Sequence, residues 1–183
     1  MAIIALSGYA RSGKDTIADH LESLGWHRAA FAQTLRASLE ALNPIITSSD
    51  EGFLRYRDIL GLVGYEAGKE IYPEFRELLQ RMGTEVGRNL LGQNIWVEAT
   101  MKRIQEAPSG TSWVLTDCRF PNEFEAVKAA GGSVWRVVRP GIEAANQHPS
   151  EVALDAATFD AVLLNDSTIE VLFEQVDYYL GLL

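Results

Sequence analysis

Residues 8–16 read Gly8-Tyr9-Ala10-Arg11-Ser12-Gly13-Lys14-Asp15-Thr16, and this stretch decides the fold. Its spacing, G-x-x-x-x-G-K, is that of a Walker A loop. Just ahead of it, Ile3 to Leu6 is a continuous apolar run, as expected of a strand covered on both faces. Just behind it, Ile17, Leu21 and Leu24 recur at helical spacing until Gly25 stops the helix. In a strand–loop–helix setting the glycines let successive backbone N–H groups converge on phosphate oxygens, and the helix N-terminus adds about half a positive charge. Arg11, Ser12, Gly13, Lys14, Asp15 and Thr16 are therefore expected to cradle the phosphates of a nucleotide, with Lys14 reaching the β- and γ-phosphates. The position after the lysine, usually a Ser or Thr that binds Mg²⁺, is Asp15, and the hydroxyl follows at Thr16. Both are candidate metal ligands, and the spacing does not choose between them.

Outward from the loop, short apolar runs alternate with helix-period segments. Ala29 to Ala32 is expected to form a second strand and to feed a helix through Leu35, Leu39 and Leu42 that ends before Pro44. Gly61, Gly64 and Gly68 interrupt a helix beginning near Phe53, so residues 43 to about 72 read as a mobile insert. From Pro73 the spacing of Phe75, Leu78, Leu79, Met82, Val86 and Leu90 predicts one long helix, and another runs from Ile95 to Gln105. Trp113 to Thr116, Val134 to Val138 and Ala161 to Leu164 complete a set of five strands. Asn122 with Glu125, and Ser167 with Glu170, read as the caps of the two helices that follow the third and fifth strands. The expected fold is α/β, a five-stranded parallel sheet flanked by helices in a single P-loop domain over residues 1–183, with an insert at about 43–92 and a lid at about 139–153.

The 183 residues, 47% of them apolar, suit one core. Sixteen Lys and Arg against 25 Asp and Glu give a formal charge of −9, which argues against tracking a nucleic-acid polymer. A single cysteine, Cys118, excludes an internal disulfide framework and fits a reducing compartment; with no apolar run of membrane-spanning length, the expectation is a cytoplasmic chain that engages no membrane. Cys118 reads as a small buried residue rather than a nucleophile.

The remaining charged residues cluster. No N-K-x-D guanine-reading sequence occurs, which removes the GTPase class. At about 100° per residue Arg81, Thr84, Glu85 and Arg88 share one polar arc, and Gly83 and Gly87 lie beside it where something must approach the backbone. The third strand ends in Asp117-Cys118-Arg119-Phe120-Pro121-Asn122-Glu123, at the sheet edge where open α/β folds bind ligands. Asp117 stands where a P-loop protein keeps the acid that orients water on the metal. Arg136 and Arg139 flank the end of the fourth strand, and the polar stretch from Pro140 to Ser150 has the composition of a lid. His148, Ser150 and Glu151 share one loop without a nucleophile elbow, so they read as substrate-contacting or lid-closing rather than as a hydrolase triad.

Together, Gly8 to Thr16, the segment Leu79-Gln80-Arg81-Met82-Gly83-Thr84-Glu85-Val86-Gly87-Arg88, Thr116 to Glu123, and His148 to Glu151 resemble the bacteriophage-type deoxynucleoside monophosphate kinases. The resemblance implies the nucleoside monophosphate kinase fold, with an acceptor-binding insert and a lid, and transfer of the ATP γ-phosphoryl group to a dNMP to give a dNDP. It places ATP on Arg11 to Thr16 and the acceptor on Arg36 and on Arg81 or Arg88, with the Asp117 to Glu123 loop lining the site. His148 and Glu151 join the acceptor residues, Mg²⁺ is expected at Asp15, Thr16 and Asp117, and a homodimer is left open. A nucleoside monophosphate, with a second phosphate pKa of about 6, is already an anionic nucleophile at neutral pH and needs no general base. Charge stabilisation then falls to Lys14, Arg119 and Arg139. Two other readings compete: a P-loop kinase acting on a metabolite hydroxyl with Asp117 as base, and a non-catalytic ATP-binding regulator, which would have little use for so many arginines.

Overall fold

The computed structural model describes residues 2–49, 52–143 and 152–183. In chain order the elements are β1 (Ile3–Ser7), α1 (Lys14–Ser23), β2 (His27–Ala29), α2 (Gln33–Leu42), β3 (Ile45–Ser49), β4 (Gly52–Arg55), α3 (Tyr56–Ile71) and α4 (Pro73–Arg81). A π-helical segment, Met82–Leu91, follows, then α5 (Ile95–Gln105), β5 (Trp113–Leu115), α6 (Pro121–Ala129), β6 (Ser133–Val138), β7 (Ala161–Leu164) and α7 (Ile169–Leu180). They form two compact units, one of Met1–Phe31 with Thr100–Leu183 and one of Ala32–Ala99.

The first unit holds the parallel sheet, in the order β2-β5-β1-β6-β7. Every residue of β1 is buried, which is why the strand could be read from an unbroken apolar run. Against it and its neighbours pack Ile17 and Leu21 of α1, Trp135 and Val137 of β6, Leu163 of β7, and Leu172 and Val176 of α7. Each large side chain so buried contributes about 1.5–3 kcal/mol. Five parallel strands are as expected, but the second begins earlier, at His27, because it pairs His27 with Trp113 and Ala29 with Leu115. Past Ala29 the chain leaves the sheet, and the Phe31 amide donates to Asp117 Oδ1 at 2.7 Å.

Two helix starts differ from the expected caps. Before α6 the Arg119 and Phe120 amides both donate to Glu123 Oε2, at 2.7 and 3.0 Å, with Pro121 at the first helical position, so Glu123 does the work expected of Asn122 and Glu125. Before α7 the cap is Thr168, whose hydroxyl accepts from the Val171 amide at 3.5 Å, rather than Ser167.

In the second unit the stretch expected to start a helix near Phe53 is instead an antiparallel hairpin, β3–β4, with α3 starting at Tyr56. Asp58 fixes that start by accepting from the Arg55 amide at 2.8 Å. Of the three glycines read as interruptions, only Gly64 leaves helical geometry, at φ 78°. Gly68 is instead a close contact, since a Cβ there would meet Ile59 at 3.0 Å. The core joins Leu35, Leu39, Ile46, Tyr56, Ile59, Phe75, Leu79 and Trp96. The expected long helix changes winding at Met82: its backbone bonds run five residues back, as from the Gly92 amide to the Gly87 carbonyl at 2.9 Å. The α-helical stripe therefore fails beyond Met82, and Val86 and Leu90 are exposed.

Candidate active site

The loop between β1 and α1 turns through three left-handed residues, Gly8 at φ 145°, Arg11 at 65° and Gly13 at 110°. Both glycines are required, since a Cβ on Gly8 would lie 2.4 Å from the Val137 carbonyl oxygen and one on Gly13 would lie 2.5 Å from Asn165 Nδ2. The loop closes on its own lysine: Lys14 Nζ donates to the Gly8 and Tyr9 carbonyls, each at 2.8 Å, and the Ser12 amide donates to the same Tyr9 oxygen at 3.2 Å. Asn165, just past β7, pins the far side by donating from Nδ2 to the Ser12 carbonyl at 2.9 Å. Ser12 Oγ is buried and has no hydrogen-bond partner among the described residues.

Around the loop stand the polar ends of neighbouring strands. The Cys118 amide donates to the Leu6 carbonyl at 3.2 Å, which sets the segment after β5 beside the end of β1. Asp117 is held there by the Phe31 amide, and buried Glu123 holds the Arg119 backbone. Burial pushes the Cys118 thiol far up, so it is a neutral packing group, as expected. Arg139 Nη1 lies 3.5 Å from the Arg11 carbonyl oxygen. With Pro140, Asn165, Asp166 and Ser167, Arg139 also lines an open cleft of about 350 Å³. Asp15 is turned outward, 84% exposed at its side chain, with Oδ1 3.7 Å from Arg28 Nη1. Arg28 also pairs with Asp19, and with Glu22 at 2.9 Å, so it gathers the acids of α1.

The second unit carries the other arginines. The Arg36 guanidinium lies 4.2 Å from the centroid of the Tyr65 ring, whose π-system also meets Lys69 Nζ at 4.6 Å. Beside them burial pushes the Tyr56 phenol up to about 12. Arg81 is exposed and faces Glu85 at 3.5 Å, a weak surface pair, while Arg88 is half-buried in the π-helical segment. The backbone approach expected at Gly83 and Gly87 is made by Trp96: its indole N–H donates to the Gly83 carbonyl at 3.0 Å, and a Cβ on Gly87 would meet its ring at 2.4 Å.

Of the expected site residues, Arg11 to Thr16, Asp117, Arg119, Glu123 and Arg139 belong to the first unit and Arg36, Arg81 and Arg88 to the second. His148 and Glu151, and with them most of the expected lid, lie outside the described residues. Asn165, Arg28 and Tyr65 were missed. Asn165 carried a readable signal, a polar residue directly after the apolar run of the last strand.

A parallel sheet whose first strand feeds a lysine-bearing phosphate loop, with Arg139 beside it, defines a P-loop kinase. A family model described as deoxynucleotide monophosphate kinase matches residues 69–176, and the chain belongs to that family. It is thus an enzyme of phosphoryl transfer. A protein of Acanthamoeba polyphaga mimivirus, assigned by its name to the deoxynucleotide monophosphate kinases, is 30% identical over 96% of this chain and 94% of its own length. The deoxynucleotide monophosphate kinase of Escherichia phage RB69 is 26% identical over 97% of this chain and 98% of its own. A solved dephospho-CoA kinase from Campylobacter jejuni aligns with 98% of this chain and 96% of its own at 13% identity and a TM-score of 0.47. Among the described residues no helix is long and apolar enough to cross a membrane.

Proposed function

We propose that the chain carries out its family's reaction through the residues described above, moving the γ-phosphoryl group of ATP onto the phosphate of a deoxynucleoside monophosphate. The observation that carries this is the Gly8–Lys14 loop, whose backbone passes through three left-handed residues to bring Lys14 and the N-terminus of α1 to one point. Lys14, the loop amides and the otherwise unpartnered Ser12 Oγ bind the donor phosphates. Arg139, beside the loop and on the wall of the cleft, grips the donor nucleotide, and Arg119 offsets charge on the group in transfer. Arg36, Arg81 and Arg88 hold the acceptor phosphate, with Asp117, His148 and Glu151 as further acceptor-side groups.

A divalent cation fits the chemistry of the donors, hard oxygens from the Thr16 hydroxyl and the Asp117 carboxylate, a sparse set that suits Mg²⁺ with its retained waters. When bound, it supplies charge neutralisation on the β- and γ-oxygens. Asp15, turned toward Arg28, serves better as an outer partner than as a direct ligand. The acceptor phosphate is its own nucleophile, and Asp117, already engaged by the Phe31 amide, acts as an orienting group rather than a base. The reaction belongs in the cytoplasm, where ATP and dNMPs meet. Replacing Lys14 with Ala tests this: turnover should fall by about 10²-fold or more with the melting temperature little changed, and wild-type kcat in that variant would refute the assignment of the loop.

A further inference from the structure

Beside the phosphate loop lies a cluster that the chemistry above does not use. Arg136, on β6, directs Nη1 to Ser7 Oγ at 3.3 Å and Nη2 to Asp155 Oδ1 at 2.7 Å. Asp155 Oδ2 in turn accepts from the Tyr9 hydroxyl at 2.9 Å. The guanidinium plane is covered as well, with its carbon 4.8 Å from the centroid of the Tyr9 ring and 5.5 Å from that of Phe159. The Arg136 side chain is only 13% exposed, and both of its Nη nitrogens and its face are engaged by these partners. It is thus poorly placed to bind a phosphate itself, unlike Arg139 three residues on. Tyr9, by contrast, is held at both ends: its ring by Arg136 and Asp155, its carbonyl by Lys14 Nζ and the Ser12 amide. Ser7 and Tyr9 flank Gly8, the first glycine of the loop.

We infer that Arg136 and Asp155 are positioning residues that set the phosphate loop through Tyr9, fixing the carbonyl against which Lys14 is aligned. The inference rests on the loop being the donor site. Charge-assisted bonds to a buried or half-buried guanidinium are the strong members of the hydrogen-bond family, and a double cation–π contact fixes the ring that carries the loop's second residue. By accepting its hydrogen bond, Asp155 also pushes the Tyr9 phenol above its ordinary 10.0. Asp155 lies in the turn Val152–Ala157, closed by bonds from the Asp155 amide to Val152 O and from the Ala157 amide to Leu154 O and anchored by buried Leu154. The turn that follows residues 144–151 is thereby tied to the residue whose carbonyl receives Lys14.

The test uses the full chain with Tyr9→Phe, which deletes one oxygen and keeps the ring, with Asp155→Ala and Asp155→Asn, with the Tyr9→Phe/Asp155→Ala double variant, and with Lys14→Ala run alongside. ATP binding is read by calorimetry, kcat and both KM values by steady-state rates, and folding by thermal unfolding. Tyr9→Phe and Asp155→Ala should each lower kcat/KM for ATP by about tenfold, with the dNMP KM unchanged, since small misplacements of a charge-stabilising group are costly. The double variant should be no worse than the poorer single one, and Asp155→Asn, which keeps an acceptor for the Tyr9 hydroxyl, should recover part of the loss. If Lys14→Ala abolishes turnover while Tyr9→Phe and Asp155→Ala keep wild-type ATP parameters, the positioning role is overturned and the donor loop stands. Losses that add fully, or that strike both substrates in step with a lowered melting temperature, also overturn it. Wild-type turnover in Lys14→Ala removes the donor loop and this inference with it.

Discussion

The indole N–H of Trp96 donates to the backbone carbonyl of Gly83 at 3.0 Å, while the same ring lies so close to Gly87 that a Cβ there would meet it at 2.4 Å. Two glycines four apart thus serve one tryptophan, one by offering a carbonyl and the other by lacking a side chain. The local price of glycine in a helix is about 1 kcal/mol per residue, offset here by a buried aromatic contact and a satisfied donor. Gly87→Ala should therefore destabilise the protein by roughly 1–3 kcal/mol through overpacking, and Trp96→Phe by about 1 kcal/mol or more through the lost bond and contact area. Urea unfolding reads both, and an unchanged midpoint for Gly87→Ala would show that the ring is not seated there.

The phosphate loop should be equally intolerant at Gly13. At φ 110°, and with Asn165 Nδ2 2.5 Å from where a Cβ would stand, Gly13→Ala combines backbone strain on the order of 1–3 kcal/mol with a clash. Asn165→Ala removes the bond to the Ser12 carbonyl and should weaken ATP binding without unfolding the sheet. Calorimetric titration with ATP checks both, and wild-type affinity in either variant would contradict the geometry described.

A pH-dependent contribution is expected at Asp160. Burial raises its pKa, but bonds to the Lys128 ammonium at 2.6 Å and from the Val134 amide at 2.7 Å, together with Ser133, outweigh that and leave it below the ordinary 3.8. A carboxylate whose folded pKa is depressed stabilises the fold above its unfolded value, and that stability is lost as pH falls through the folded value. Because the side chain is 35% exposed, solvent screening limits the effect to about 0.5–1 kcal/mol. Asp160→Asn should thus be less stable than the wild type at pH 7, and the gap should close below about pH 4. A gap that persisted to pH 2.5 would assign the loss to shape rather than charge.

Kinetics should separate the arginines of the two units. Arg81→Ala or Arg88→Ala removes a charge-assisted contact worth roughly 1.5–3 kcal/mol and should raise the dNMP KM, with kcat less affected. Arg139→Ala should lower kcat/KM for ATP about tenfold or more, with little change in the dNMP KM. Arg119→Ala should act chiefly on kcat, since its partner charge develops during transfer. A pattern in which Arg139→Ala changed only the dNMP KM would reverse the donor and acceptor assignments.

Where one physical rule governs a segment, its structure was legible in the sequence. β1 and β5 are legible as apolar runs because both faces of the sheet are covered there, and the loop carries its glycines because only glycine fits against Val137 and Asn165. Where two rules compete, the reading slipped. The hairpin β3–β4 was hidden by its exposed Ile45 and Phe53, which gave no alternation to follow. The winding change at Met82 was hidden because the α-helical period was extended through Gly83 and Gly87, whose packing is decided by a tryptophan nine or more residues away. Glu123 was placed with the acceptor residues from its loop, whereas its carboxylate is buried against the Arg119 and Phe120 amides. Tyr9 and Asp155 meet across the fold, 146 positions apart in the sequence, and no local spacing announces them.

Phosphoryl transfer to a dNMP is read directly by ³¹P NMR of the purified chain with ATP, Mg²⁺ and each of the four dNMPs in turn, with a set of small alcohols as controls. The phosphorus signals of ATP and of at least one dNMP should fall together while those of ADP and the matching dNDP rise in equal amounts. Loss of ATP with no dNDP from any dNMP, or phosphorylation of an alcohol in its place, would contradict it.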